Sequence, residues 1–396
     1  ECVELTDGNG LAEKEILSAP VACGGLEEKR QLKRLVKRCC YQLLKRVAGR
    51  RPAWGSLTGI RPTRLYYQQL EAGKTRVEAR ETLCSLFDLS DEKIALLDEI
   101  IDAQQGLIAR NPRACDLYIG IPFCTTRCAY CSFSSGEIGD GRLVEPYLNA
   151  LFHEIEICAQ MVREFGLDIR VGYIGGGTPS SLSTRQLERL LNHIEKHFGK
   201  LDEFTVEAGR PDTLDEEKLR MIYSHPVTRI SINPQTMNDD TLARIGRAHT
   251  ARQTEQAYEL ARKIGFKDIN MDVIAALPGE DYEKFAYTLE RIRGMKPESL
   301  TVHTLAIKRS SKLHEVKYAQ NEQDVAQMVE LGRQTAHEMG MRAYYLYRQK
   351  YMADNLENVG YAVPEKVCRY NIDNMEETTS VLALGAGGIS KCVMRE

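Results

Sequence analysis

Nothing in this chain of 396 residues is long and apolar enough to span a bilayer. The longest apolar stretches, such as 381–389, fall far short of the roughly 20 residues a spanning helix needs. No charged-then-apolar leader opens the chain, so the cytoplasm is the expected compartment. Low-complexity tracts are lacking too, and 43% hydrophobic residues describe a globular core of two or three domains rather than a disordered chain. Net charge is scarce: −3 overall argues against a general binder of polyanions. In a reducing compartment twelve cysteines point to free thiols and a metal centre rather than to a disulfide framework. A chain that opens on Glu1 rather than Met, and closes on Met394-Arg395-Glu396 without an evident closing element, is expected to lack segments at its ends.

Charge is unevenly placed. From Lys29 to Arg51 there are ten basic residues and no acidic one. The apolar residues of this stretch, Leu32, Leu35, Val36, Cys39, Leu43 and Leu44, recur at intervals of three and four, which predicts an amphipathic helix with the basic residues mostly on its other side. Without interleaved aromatics the basic face reads as solvated, and nucleic acid is not an expected partner. Arg61 and Arg64, framed by proline and glycine, are better placed for a specific contact. Further helices are expected at about 65–88 and 91–108, so residues 1–110 read as a mainly helical domain that ends near Asn111-Pro112.

From residue 111 to about 310, short apolar runs alternate with amphipathic helices, the pattern of βα units on a parallel sheet. Six strands are expected, near Leu117–Ile121, Val171–Ile174, Phe204–Glu207, Thr228–Asn233, Asp268–Ala276 and Leu300–Ala306. After the second strand, Leu187, Leu190, Leu191, Ile194 and Phe198 mark one helix face, with Ser183 and Gln186 as a capping box and Gly199 as the stop. An open doubly wound sheet and a barrel both fit this alternation. Nearly every strand ends in a chemically useful group, which favours the barrel, whose strands converge their carboxyl ends on one site. Residues 311–396 are expected to complete the barrel and cover the site.

The first strand runs into Cys124, Cys128 and Cys131, spaced CxxxCxxC. Three thiolates on a [4Fe-4S] cube leave one iron open. That iron can chelate the amino and carboxylate groups of S-adenosylmethionine, and a reduced cluster can cleave the sulfonium to give a 5′-deoxyadenosyl radical. The other strand ends suit that ligand. Gly175, Gly176 and Gly177 allow close backbone approach. Glu207, Gln235 and Asp272 offer acceptors, and Arg247 offers a planar cation for a carboxylate. Asn270 and Asp272 share one face of the fifth strand, so the acid is expected inside the barrel. Tyr118, Phe123, Tyr130 and Phe133 flank the loop and can stack on adenine or shield a cluster. His249 and His303 read first as structural histidines and second as ligand contacts.

Taken together, these motifs resemble the radical S-adenosylmethionine (SAM) superfamily, and within it the oxygen-independent coproporphyrinogen III oxidase-like family. They are Tyr118-x-x-x-Pro122-Phe123-Cys124, Gly175-Gly-Gly-Thr-Pro179, Glu207-Ala208, Arg229-Ile-Ser-Ile-x-x-Gln235, Ile245-Gly-Arg-x-His249 and Asp272-x-x-x-x-Leu-Pro-Gly279. The segment Trp54-Gly-x-Leu-Thr-Gly-Ile-Arg-Pro-Thr63 looks most like the HemZ branch. The resemblance implies an α/β fold, a partial (β/α)6 TIM-like radical SAM barrel preceded by a mainly helical domain. It places the cluster on Cys124, Cys128 and Cys131, with Tyr118, Tyr130, Gly176, Glu207 and Ile389 around its SAM. Gly177, Thr178, Gln235, Arg247, Asp272 and Ala306 match a second SAM position, and Tyr118 matches a residue at the reacting centre.

The implied reaction is oxidative decarboxylation of coproporphyrinogen III propionates to the vinyl groups of protoporphyrinogen IX. It needs a tetrapyrrole substrate and an electron donor such as flavodoxin or ferredoxin. Two departures stand out. The dehydrogenases carry a cysteine two positions past the third ligand, where this chain has Phe133, as the heme-chaperone branch does. The chaperones' His-Asn-x-x-Tyr-Trp heme motif is absent at Cys368-Arg-Tyr-Asn-Ile-Asp-Asn-Met375. Heme delivery and radical heme methylation with ring opening are the alternatives that remain.

Overall fold

The computed structural model describes residues 2–6, 12–16, 24–108, 111–318 and 324–393. Glu1 and residues 394–396, on which the expectation of missing ends rests, lie outside them. Packing divides the chain into two compact units, Glu1–Asp98 and Glu99–Glu396. Among the described residues, no helix is long and apolar enough to cross a membrane.

The first unit opens with an antiparallel strand pair, β1 (Cys2–Thr6) and β2 (Ala12–Ile16), in a domain expected to be mainly helical. Helix α1 (Gly25–Ala48) buries Leu35, Cys39 and Leu43 but exposes Val36 and Leu44, so its apolar stripe is narrower than the periodicity implies. The stretch expected as one helix over 65–88 is two, α2 (Pro62–Glu71) and α3 (Arg76–Phe87). The reason is local: Thr75 and Glu78 form a capping box that starts a new helix, satisfying amide groups a continuous helix would not leave open. Part of the basic run is neutralised within the unit, because Lys45 and Arg51 both reach Asp88 at 2.6 and 3.0 Å. Arg64 pairs with Glu71. Helix α4 (Asp91–Ala103) contains the division between the units.

The second unit is built on a nine-stranded sheet. In chain order its elements are β3 (Ala114–Ile121), a short pair β4 (Phe123–Cys124) and β5 (Gly136–Glu137), α5 (Val144–Glu164), β6 (Asp168–Gly176) and α6 (Thr184–Phe198). There follow β7 (Glu203–Val206), α7 (Glu216–Ser224), β8 (Arg229–Ser231), α8 (Asp239–Arg244), α9 (Ala251–Ile264), β9 (Ile269–Ala275) and α10 (Tyr282–Met295). The last are β10 (Ser299–Thr304), α11 (Lys312–Glu315), α12 (Val325–Glu338), β11 (Arg342–Tyr347), β12 (Asn358–Ala362), α13 (Arg369–Glu376) and β13 (Ser380–Gly385). The six strands expected from sequence are β3, β6, β7, β8, β9 and β10, paired in parallel in that order. β13 adds in parallel beside β3, while β12 and β11 extend the other edge antiparallel.

The sheet is open but curls around α13. Tyr370 of α13 stacks on Tyr173 of β6 and Tyr118 of β3, with ring centroids 4.6 and 6.0 Å away, while Asn371 donates to the Tyr344 hydroxyl of β11 near the far edge. One short helix thus touches strands from both sides of the sheet. The amino ends of the strands are closed by buried ion pairs. Arg170 meets Asp116 and Asp373 at 3.6 and 3.0 Å, and Arg229 meets Glu203 and Asp268. Outside, α6 packs Leu187, Leu190, Leu191 and Ile194 fully inward, each contributing about 1.5–3 kcal/mol of burial. Its Ser183–Gln186 capping box and Gly199 cap fall where the sequence placed them. With one end plugged, the carboxyl ends of the strands are left to carry chemistry.

Candidate active site

The cysteine loop lies across the carboxyl ends of the strands, held from several sides. Gly136 and Ile138 donate to the Pro122 and Cys124 carbonyls, closing the β4–β5 pair. Ala129 donates to the Ile245 carbonyl and accepts from Leu313, tying the loop to segments after α8 and β10. Arg127 donates to the Ser310 carbonyl at 2.5 Å. Gly177 explains how closely the glycine turn approaches. A Cβ there would stand 2.6 Å from the Phe123 carbonyl oxygen and 2.9 Å from the Cys124 sulfur. The Gly175–Gly177 run therefore seats the cysteine loop as well as leaving backbone open to a ligand.

One residue that the sequence reading passed over is central to this loop. Arg210, buried after β7, grips Asp212 through two nitrogens at 3.1 and 3.2 Å. Its remaining nitrogen donates to the Thr126 carbonyl at 3.1 Å and lies 4.0 Å from the Cys128 sulfur. Thr178 reaches the Cys124 sulfur at 3.5 Å. Donors aimed at cysteine sulfurs suit thiolates that carry negative charge in a cluster. Burial pushes the Cys131 thiol up from its ordinary value, with Cys128 and Cys124 adding to it, so binding iron there must expel a proton. Three sulfurs on one loop, flanked by Arg210 and Thr178, fit a [4Fe-4S] cluster.

Beneath the loop, the lumen is lined from several strands. Tyr118 packs beside the stacked pair Tyr173 and Tyr370, and burial raises its hydroxyl above the usual tyrosine range. Glu207 follows β7 and accepts a short hydrogen bond from the Tyr173 hydroxyl. Burial lifts its carboxyl to about 7, partly opposed by that hydrogen bond and helped by the charge of Asp272. Asp272 points into the same space, as the alternation of β9 requires: Ile269, Met271 and Val273 are fully buried on the other face, and Asn270 donates to Asp272 at 2.8 Å. Burial raises the Asp272 carboxyl, but the His303 imidazole 3.8 Å away and the Asn270 hydrogen bond outweigh it and hold the group below the usual range. His303, read first as structural, thus belongs to the lumen.

Gln235 sits after β8 with φ +67°, an uncommon conformation for a non-glycine residue. The backbone accepts it because Gln235 bridges β9, donating to the Asp272 carbonyl and accepting from Ile274. Arg247 is buried and donates to the Asn233 and Gly209 carbonyls at 2.7 and 3.0 Å, while its Nε and the Asn233 Oδ1 are buried without a hydrogen-bond partner. Burial opposes its charge, but Tyr130, Cys128 and Asp212 lift it above the usual arginine value. Tyr130 is enclosed by the loop, and burial raises its hydroxyl with Cys128 beside it. His249 lies 3.7 Å from Asp212, so the last residue of the Ile245–His249 motif serves the Arg210 anchor.

Ala306 pairs with Met352 beyond β10. Ile389 stands 76% exposed in the turn after β13. Phe133 is 69% exposed at the outer side of the loop.

The radical SAM superfamily model matches residues 118–292, the span from Tyr118 to Ile292 in α10. Over 381 residues the chain is 40% identical to the oxygen-independent coproporphyrinogen-III oxidase-like protein HemZ of Bacillus subtilis (strain 168), covering 93% of this chain and 76% of the relative. The chain belongs to this family of radical SAM proteins. It is also 37% identical, over 193 residues, to the heme chaperone HemW of the same organism, covering 48% of this chain and half of that protein. Among solved structures, it is similar to coproporphyrinogen III oxidase (HemN) from Escherichia coli, with a TM-score of 0.59 and 23% identity over 72% of this chain and 66% of that one. That likeness supports the fold alone. Membership of the radical SAM family implies a [4Fe-4S] cluster and SAM, and the cysteine loop is where this chain has the residues to hold them.

Proposed function

We propose that this protein acts in tetrapyrrole metabolism and decarboxylates the propionates of coproporphyrinogen III oxidatively to vinyl groups. When bound, the cluster and SAM supply a 5′-deoxyadenosyl radical that removes one hydrogen atom from the substrate. Cys124, Cys128 and Cys131 would hold the cluster, with Thr178 and Arg210 directed at the sulfurs of Cys124 and Cys128. Tyr118, Tyr130, Gly176 and Glu207 surround the adjoining SAM, with Ile389 at the rim. The unpartnered Nε of Arg247 and Oδ1 of Asn233 support a second SAM position with Gly177, Thr178, Gln235, Asp272 and Ala306. An external one-electron donor of the flavodoxin or ferredoxin kind completes the system.

The observation that carries this reading is the cysteine loop at the strand ends, with Arg210 and Thr178 directed at two of its sulfurs, in a chain 40% identical to a coproporphyrinogen-III oxidase-like protein. Lys308 follows β10 in the segment tied to the loop, and burial lowers its pKa while the neighbouring Cys131 opposes the change. A half-buried ammonium gains from a carboxylate partner, and a substrate propionate supplies one. The relatives' names agree on tetrapyrrole chemistry.

Heme delivery is the second reading, favoured by Phe133 and the HemW similarity. The region of the missing heme motif speaks against it. Cys368 is buried, its thiol donates to Glu203 at 3.4 Å, and Tyr370 is committed to the tyrosine stack. The test is anaerobic incubation of the cluster-loaded protein with SAM, reductant and coproporphyrinogen III. Matched formation of 5′-deoxyadenosine and carbon dioxide supports decarboxylation. Stoichiometric heme binding without either product selects delivery.

A further inference from the structure

We infer that the outer face of α5 and α6 carries a second metal site, a zinc-type divalent ion position formed by His193, His197 and Glu156. The two histidines lie one helical turn apart on α6, so both imidazoles project from one face. Glu156 approaches from α5. One ligand atom from each residue lies within 4.8 Å of the other two. In a tetrahedral zinc site ligand atoms stand about 3.3 Å apart, so modest side-chain rotation closes the set. Two imidazoles and one carboxylate leave a fourth position for water.

A second observation points to a ligand. The Nε2 of His197 is buried and has no hydrogen-bond partner, an uncommon state for a polar atom in a folded protein. A metal would use that lone pair. The neutral imidazole it needs is favoured, since burial, with His193 and Lys196 adding, lowers the His197 pKa. Binding has costs as well. The Nε2 of His193 lies 3.2 Å from the Phe152 carbonyl and 3.5 Å from Glu156, so metal ligation through it gives up the first contact. Arg163 also repels positive charge at His197. The geometry matters to the fold because α5 follows the cysteine loop and α6 follows the glycine turn. A metal here would clasp the two helices on which both loops end.

The experiment uses the cluster-loaded protein, so that Cys124, Cys128 and Cys131 do not capture the probe. Zinc alone is titrated anaerobically against a chromophoric chelator, with the melting temperature followed in parallel. The site predicts one zinc per chain beyond the iron and a rise in melting temperature. Removing a ligand should weaken zinc binding by at least about tenfold, no less than losing an outer-shell partner does. His193→Gln and His197→Gln test the imidazoles, and Glu156→Gln, on a half-exposed side chain, tests the carboxylate without disturbing the core. Equal zinc affinity in the native protein and all three variants overturns the site, as does failure of the native protein to bind zinc above the micromolar range. Loss of zinc in Glu156→Gln with the iron content intact supports it.

Discussion

The hydroxyl of Tyr173 donates to the Glu207 carboxylate deep in the barrel, where burial has already lifted that acid to about 7. This pair couples the tyrosine stack to the acid that the proposed function sets beside SAM. A carboxyl titrating near neutrality becomes a charged, acceptor-only group once ionised and then binds hydroxyl and ammonium donors more strongly, so SAM affinity should rise between pH 6 and 8. The tyrosine hydrogen bond favours the ionised form, and Tyr173→Phe should therefore move the rise to higher pH. Anaerobic equilibrium binding across this range checks both statements, and a flat profile contradicts them.

The same acid affects stability with a defined sign. Its folded pKa exceeds its unfolded value, so the folded chain binds more protons and the acid's contribution to stability falls as pH rises from about 4.5 through 7. Glu207→Gln removes this loss. In the cofactor-free protein the variant should be more stable than native at pH 8 by about 1–3 kcal/mol and nearly equal at pH 5. Chemical unfolding at the two pH values measures the difference.

Gly177 and Gly294 give a paired test of close packing. Gly177→Ala drives a methyl group against the Phe123 carbonyl and the Cys124 sulfur, whereas a Cβ at Gly294 in α10 meets nothing within 4 Å. The first should lose most of its iron after anaerobic reconstitution and desalting. The second should keep native iron and gain up to about 1 kcal/mol from better helix propensity.

Arg210→Ala should unfasten the loop. It leaves the largely enclosed Asp212 without its bidentate partner and removes the donor near Cys128. Breaking a buried ion pair costs about 3–5 kcal/mol. Iron content should drop well below native while circular dichroism shows the sheet and helices retained. Native iron content would contradict the anchoring role.

The six central strands were legible because most of their residues are buried, so that each reads as a short apolar run. The outer strands were less so. β11, Arg342–Tyr347, is dominated by tyrosines, and the antiparallel partnership of β10 with β12 leaves no mark in either sequence. The cysteine spacing, the glycine run and Asp272 were readable because chemistry fixes residue type and strand alternation fixes direction. Arg210 was not, since an arginine after a strand announces nothing until folding sets it against Thr126 and Asp212. The division of α2 from α3 was encoded in Thr75 and Glu78, a capping box hidden inside an otherwise continuous helical pattern.

The most direct test of the central claim is the fate of the substrate hydrogen. Coproporphyrinogen III carrying deuterium at the propionate β-carbon is incubated anaerobically with SAM, a reductant and protein loaded with four irons per chain, as the cluster requires. Deuterium should appear in 5′-deoxyadenosine in step with carbon dioxide release, and Cys128→Ala should abolish both. A fully loaded, reducible cluster that cleaves SAM without deuterium transfer, or forms no 5′-deoxyadenosine at all, would contradict the account.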